Sequence, residues 1–441
     1  MPIRTIPAID AKYHMVVVNQ DGVENASDPD VVSGPISATI LGEIKTTNVT
    51  DVFIWTHGWK GDMPAAFDQY DRWIGAFSRL DADRQKMVQK RGTFKEFHIG
   101  FHWPSLEWGD ENPVSGTSFS ISDAPVGQSV QSYVDLYADR LGDSPAVRVA
   151  LTKLFADLAK NAAKTQLTPL AREAYLELEQ ALGFGGCGST ADRASFDPDL
   201  AVKDAFTGVS FGAGSFSRLL SPLQQLTFWT MKKRAQTVGE NGLHPLLNKI
   251  QDTAPGIRIH LMGHSFGCIV TCAGLGGPEG NSLLRRPVDS CVLVQGAMSL
   301  WAFAQEIPVR AGVAGYFCHL RPDGKVSGPI VTTRSVHDLA VGKLYPWAAG
   351  VANQISFGLA DLTDLTELPK FGGIGTFGIQ GLDIKDDIMK AADAEYDFTA
   401  KTIYNLESSA FIAKRDGLSG AHSDIDGPEV AHVLWQAAMT A

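Results

Sequence analysis

The chain has 441 residues, 44% hydrophobic and 20% charged, with a formal net charge of -11 at neutral pH. This length and composition allow one large domain with insertions, or two domains, around a sizeable core, and they exclude global disorder. The acidic balance argues against nucleic acid as a partner, which needs clustered Lys and Arg, and mainly serves solubility.

The opening residues Met1-Pro2-Ile3-Arg4-Thr5-Ile6-Pro7 contain no continuous apolar stretch, so no secretory signal is expected. No window of about 18 uninterrupted apolar residues occurs, so no integral membrane segment is expected either. The five cysteines, Cys187, Cys268, Cys272, Cys291 and Cys318, form no Cys-x-x-Cys pair. They read as reduced and mostly buried, which points to a cytoplasmic location. Cys268 and Cys272, four apart, could share a helix face with His264 and hold a metal. Small apolar packing is the preferred reading, and no metal is assigned.

Short β-branched runs alternate with helical patterns. Tyr13 to Asn19 reads as a strand, and the Gln-Asp-Gly that follows is a hairpin signal that would make Pro35 to Ile44 the next strand. Val52 to Thr56 (VFIWT) is a short apolar strand ending at His57-Gly58-Trp59. Asp68 to Leu80 is helical, with Trp73, Phe77 and Leu80 on its apolar side. Phe97 to Trp103 is a strand stopped by Pro104. Residues 105–225 break the rhythm: they carry helical patterns at Ala146 to Ala163 and Pro169 to Leu182 and lack clear strands, as an inserted helical subdomain would.

A helix closing at Leu246 to Ile250 leads into the strand Arg258 to Met262, and strands follow at Ser290 to Gln295 and Ile330 to Arg334. Residues 344–395 form a second, smaller excursion with a Gly-rich centre at Phe371 to Gly381. Ala410 to Ala413 is a weaker strand candidate, and a final helix begins near Pro428. Strands alternating with helices predict one α/β domain over residues 1–441, built on a mostly parallel sheet with helices on both faces. Ligands of such sheets bind at the carboxyl ends of the strands.

Gly263-His264-Ser265-Phe266-Gly267 matches G-x-S-x-G, after an apolar strand and before the helical Ile269-Val270-Thr271-Cys272-Ala273. A nucleophile on a sharp strand-to-helix turn projects its oxygen from the sheet, and the flanking glycines let the backbone fold that tightly. Ser265 is therefore the candidate nucleophile. The alternative is a Gly-rich turn with a solvated serine. The turn at His57-Gly58-Trp59 can aim the N–H of Trp59 at the same pocket, with the N–H of Phe266 as partner in an oxyanion hole.

The base is expected to be His422, in Gly420-Ala421-His422-Ser423, on a loop that can swing over the sheet end. The other histidines are assigned elsewhere: His432 to the surface of the last helix, His264 away from the nucleophile, His57 to a structural turn. The acid should lie between Ser265 and His422 in the chain. Asp338, just after the strand Ile330 to Arg334, is the candidate, and Asp323 and Asp289 are weaker ones. A helix-capping Asp338 and a His422 satisfied by its own loop are the alternatives. Trp55, Trp59, Trp103 and Phe266 cluster near strand ends and could line an apolar acyl pocket, with core packing preferred for Trp55.

With the His57-Gly58-Trp59 turn, the GHSFG elbow and the Ser265, Asp338, His422 order, the chain resembles the α/β-hydrolase superfamily. More narrowly it is similar to poorly characterised bacterial esterase-like members with a large insertion before the nucleophile. The resemblance covers about residues 45–104, 226–343 and 400–441. It implies a mostly parallel sheet, usually of eight strands, a Ser–acid–His triad and no metal or organic cofactor. It also implies a small-molecule or lipid ester substrate cleaved through an acyl-enzyme. Alternatives are a lipid-directed lipase or phospholipase with residues 105–225 as a lid, a peptidase, and a non-catalytic binding module on the same scaffold. Two G-x-G-x-x-G matches, Gly183 to Gly188 and Gly373 to Gly378, lack the strand-then-helix context of a dinucleotide site. The first reads as a helix stop.

Overall fold

The computed structural model describes residues 3–7, 9–26, 34–59, 62–105, 130–161, 163–184, 193–207, 218–348 and 368–440. The chain divides into two compact units. One comprises Met1–Ser105, Arg234–Tyr345 and Gly358–Ala441, and the other comprises Leu106–Lys233 and Pro346–Phe357.

The first unit is an α/β body around a nine-stranded sheet among the described residues. Its strands are β1 (Ile3–Thr5), β2 (Lys12–Val17), β3 (Asp51–Thr56), β4 (Glu96–His102), β5 (Arg258–His264), β6 (Ser290–Val294), β7 (Ile330–Arg334), β8 (Lys385–Ile388) and β9 (Ile403–Glu407). The order across the sheet is β1-β2-β4-β3-β5-β6-β7-β9-β8. Only the edge strand β1 runs antiparallel; the other eight are parallel. Strands β3 and β6 are buried at every residue, because helices cover both faces of a parallel sheet and leave no solvated side for alternation.

Pro35 to Ile44 is not a strand. Ile36, Ile40 and Ile44 recur every four residues, and all three are buried on one face of the helix Ile36–Thr46. The helical period outweighs their β-branched preference. The chain does turn after β2, at Gly22, but the partner strand shrinks to a single bridge, Val18 to Glu24. The candidate at Ala410 to Ala413 is a turn region, and the strand lies earlier, at β9. Asn405 breaks the apolar pattern there. It is nevertheless buried, because its amide bonds both the N–H and the C=O of Ile379. The second excursion, 344–395, does not stay together: residues 346–357 fall in the second unit, whereas β8 joins the central sheet.

The second unit is helical, with Val130–Leu141, Pro145–Lys160, Pro169–Leu182 and Pro198–Thr207, and no strand among its described residues. Ser-Pro and Thr-Pro start two of these helices. The Ser144 hydroxyl accepts from Val147 N–H and the Thr168 hydroxyl from Ala171 N–H, while the proline at the next position has no N–H to leave unpaired. Gly183 ends its helix in the left-handed region, at φ 63°, as the helix-stop reading expects; Gly185 to Gly188, with Cys187, lie outside the described residues.

The last helix, Pro428–Thr440, packs into the core of the first unit. The Trp435 ring stacks on Phe77 at 4.1 Å and 5°, and its indole N–H donates to the Phe77 carbonyl at 3.0 Å. His432 is not at the surface. It is fully buried, bonded to Asp83 Oδ2 at 2.6 Å and to the Ala394 carbonyl at 2.9 Å. Both faces of this helix are covered, so the apolar stripe alone did not mark what is buried. Trp435→Ala should cost about 3–5 kcal/mol in urea unfolding, as other large buried aromatic truncations do. Leu283→Ala, at a side chain 78% exposed, should leave unfolding unchanged.

Candidate active site

Strand β5 ends at His264, and the helix Gly267–Gly276 starts three residues later. Between them Ser265 takes φ 56°, a left-handed conformation that a residue with a side chain adopts at a cost. The glycines around it are sterically required. A Cβ on Gly263 would stand 2.6 Å from the Gly267 carbonyl oxygen. A Cβ on Gly267 would stand 2.3 Å from the Thr56 carbonyl oxygen and 2.6 Å from that of His57. A Cβ on Gly58 would stand 2.7 Å from Ser265 Cβ. The turn after β3 and the turn after β5 thus touch main chain to main chain.

Side chains hold the β3 turn from outside. Tyr70 O–H donates to the Phe101 carbonyl at 2.7 Å and accepts the His57 N–H at 3.0 Å. Trp103 Nε1 donates to the His57 carbonyl at 3.0 Å. The Trp59 and Phe266 rings stack, with centroids 5.5 Å apart, so the two residues expected to supply the oxyanion hole are neighbours. Phe266 is the N-cap of the helix Gly267–Gly276, at whose start N–H groups point out along the axis. Trp55 and Trp103 are both core residues, 1% and 0% exposed.

The three distant residues meet. His422 Nε2 lies 2.9 Å from Ser265 Oγ, and His422 Nδ1 lies 2.8 Å from Asp338 Oδ2. Asp338 is fully buried. Its other oxygen accepts the Val341 N–H at 2.9 Å. The loops carrying Asp338 and His422 are joined by the bridge Asp338 to Gly420 and by Ala421 N–H to the His337 carbonyl at 2.8 Å. Gly420, at φ 63°, permits this, since a Cβ there would meet that carbonyl at 2.3 Å. The two weaker acid candidates lie elsewhere. Asp289 caps the start of β5 through Ile259 N–H and binds Arg286, and Asp323 is an exposed turn residue.

His264 does more than the sequence suggested. Its Nε2 bonds the main-chain carbonyl of His422 at 3.0 Å and its Nδ1 faces Gln69 Nε2 at 3.1 Å. It braces the loop of His422 from the position just before Ser265. Both ring nitrogens are thus engaged, and Cys268 Sγ donates to the Gly263 carbonyl at 3.2 Å. The segment Gly373 to Gly378 contains the short helix Ile374–Phe377 and packs beside the acid, where Thr376 Oγ1 donates to the Asp338 carbonyl. Gln295, Gly420 and His264 were missed as supports; a glycine two residues before the candidate base was the available signal.

A second Ser–His–Asp string lies at the other end of the strands. Ser290 Oγ bonds His260 Nδ1 at 2.8 Å, and His260 Nε2 bonds Asp51 Oδ1 at 3.1 Å. All three residues are buried, Ser290 pairs within the β5–β6 ladder, and Arg91 also binds Asp51. Ser290 has no strained turn and no helix N-terminus beside it, so this string reads as a structural network.

No family model, curated protein or solved structure matches the chain. No described helix is long and apolar enough to cross a membrane.

Burial holds several of these histidines neutral. It lowers His98 and His102 to about 4, and it places His57 and His264 well below the ordinary 6.5, the nearby His422 adding to the effect at His264. Unfolding restores the ordinary value, so between pH 6.5 and about 4 the unfolded chain binds more protons than the folded one. Stability to urea should be insensitive to these groups above pH 7 and fall steadily from pH 6.5 to 4. His98→Phe, which keeps a ring there but cannot take a proton, should make that decline shallower, with loss of the Trp55 Nε1 hydrogen bond to His98.

Proposed function

We propose that this protein is a serine hydrolase of carboxylic esters, acting through an acyl-enzyme on Ser265. The observation that carries the reading is the hydrogen-bonded chain Ser265–His422–Asp338 ending on a serine at φ 56°. The mostly parallel sheet, with the nucleophile at the carboxyl end of a central strand, is the scaffold such a site needs and supports the resemblance to α/β-hydrolases.

In this reading His422 Nε2 takes the proton of Ser265 Oγ as that oxygen attacks the acyl carbonyl. The tetrahedral oxyanion accepts the main-chain N–H groups of Trp59 and Phe266. Each such donor is worth roughly 10² to 10³ in rate. Collapse expels the alcohol, which leaves with the proton held on His422. Water, deprotonated by the same nitrogen, then attacks the acyl-enzyme and releases the acid. Asp338 holds the Nδ1–H tautomer and stabilises the imidazolium that forms. His264, neutral and bonded to the His422 carbonyl, keeps the loop in register.

A serine rather than a carboxylate at the elbow argues against alkyl-enzyme chemistry of the epoxide-opening and dehalogenating type. A panel of 4-nitrophenyl esters of increasing acyl length, with a fluorophosphonate probe, tests the assignment. The wild-type chain should turn over at least one ester and become labelled at Ser265. Ser265→Ala should lose both, and Asp338→Asn should reduce kcat by about 10⁴. Unchanged turnover in Ser265→Ala would refute the reading.

A further inference from the structure

Asp338 Oδ2, the oxygen that bonds His422, also accepts a hydrogen bond from Gln295 Nε2 at 3.1 Å. Gln295 is fully buried and stands just past the end of β6. Its amide orientation follows from its other contact. Thr333 Oγ1 accepts the Gln295 main-chain N–H at 3.0 Å and gives its own proton to Gln295 Oε1 at 2.9 Å. With Oε1 committed to that hydroxyl, the NH₂ end faces the carboxylate. The flipped amide would set Oε1 against Asp338 Oδ2, oxygen to oxygen.

The backbone is shaped for this contact. Gln295 has φ 46°, in the left-handed region, where a glutamine is strained. Gly375 lies against it, so close that a Cβ there would meet the Gln295 carbonyl carbon at 2.7 Å and its Cα at 3.0 Å. One role of the Gly373 to Gly378 run is therefore close backbone approach beside the acid. Such strain persists only where the surroundings over-determine it, and here it delivers one amide N–H to one carboxylate oxygen.

Resting on the serine-hydrolase reading, we propose that Gln295 is a positioning residue that fixes the Asp338 carboxylate for His422. Rotating the carboxylate would break the Gln295 and Val341 bonds together, so the oxygen facing the imidazole is held before substrate arrives. Gln295 touches neither substrate nor the reacting atoms, and it acts through Asp338 alone.

The experiment compares wild type, Gln295→Met, Thr333→Val and, as a buried hydroxyl control, Thr332→Val, whose native side chain bonds only the Leu293 carbonyl. Each is measured for thermal melting, fluorophosphonate labelling rate, kcat and KM on the best ester, and the low-field proton resonance of the His422–Asp338 hydrogen bond. Gln295→Met and Thr333→Val should label more slowly and lose kcat by about 10- to 100-fold, the size of a lost hydrogen bond to a charged group. KM should be unchanged, the low-field resonance should shift or broaden, and Thr332→Val should behave as wild type. Labelling, kcat and resonance within twofold or unshifted in folded Gln295→Met would overturn the proposal. If that variant does not fold, the same result in Thr333→Val overturns it. Failure of wild type to label would instead refute the hydrolase reading. The resonance, which needs no turnover, would still decide whether Gln295 sets the acid.

Discussion

The site depends on one close approach of main chain to main chain, the turn after β3 pressed against the turn after β5. Nothing larger than hydrogen fits at Gly58 or Gly267, because the Ser265 side chain and the carbonyls of Thr56 and His57 occupy the space. That contact forces Ser265 into its left-handed conformation and sets Trp59 beside Phe266. It also explains why His57 is held at both its N–H and its C=O by buried aromatic side chains. A turn that must sit within a few tenths of an ångström of another cannot be left to wander.

Much of this is legible in the sequence. The elbow announces itself because glycine spacing, a preceding apolar strand and a following helix all agree. Asp338 and His422 could be chosen by position because each follows the carboxyl end of the sheet in chain order. The parallel strands β3 and β6 are plain because burial on both faces makes them nearly continuous apolar runs. What escaped was whatever depends on partners far away in the chain. The helix Ile36–Thr46 has the composition of a strand and only its period betrays it. β9 hides behind Asn405, whose burial is intelligible only once the Ile379 main chain is beside it. His432 looks like a surface residue until Asp83 and Ala394, contributed by other elements, close over it. Gln295 carries no motif at all; its meaning is a torsion angle and a neighbour across two strands.

Most polar groups around Ser265 share one character: they are buried or half-buried yet uncharged. His57 and His264 are kept neutral by burial, and Gln295, Thr333 and Gln69 contribute dipoles. Asp338 is the carboxylate in direct contact with His422, and it is met by amide N–H groups rather than by Arg or Lys. Among the described residues no Lys or Arg pairs with Asp338, so in the proposed mechanism a positive charge on His422 would have that carboxylate to itself. In a dry surrounding, that counts for more than it would in water.

The string Ser290–His260–Asp51 supplies a natural counterexample within the same sheet. Its side chains repeat the hydroxyl, imidazole and carboxylate sequence at similar separations, yet it is walled into the opposite rim of the strands with its serine locked in a β ladder. The same three side-chain types therefore occur here with two different backbones beneath them. Transplanting the trio onto another framework would move only its hydrogen bonds; the backbone crease that lifts an oxygen toward a substrate would have to be transplanted too.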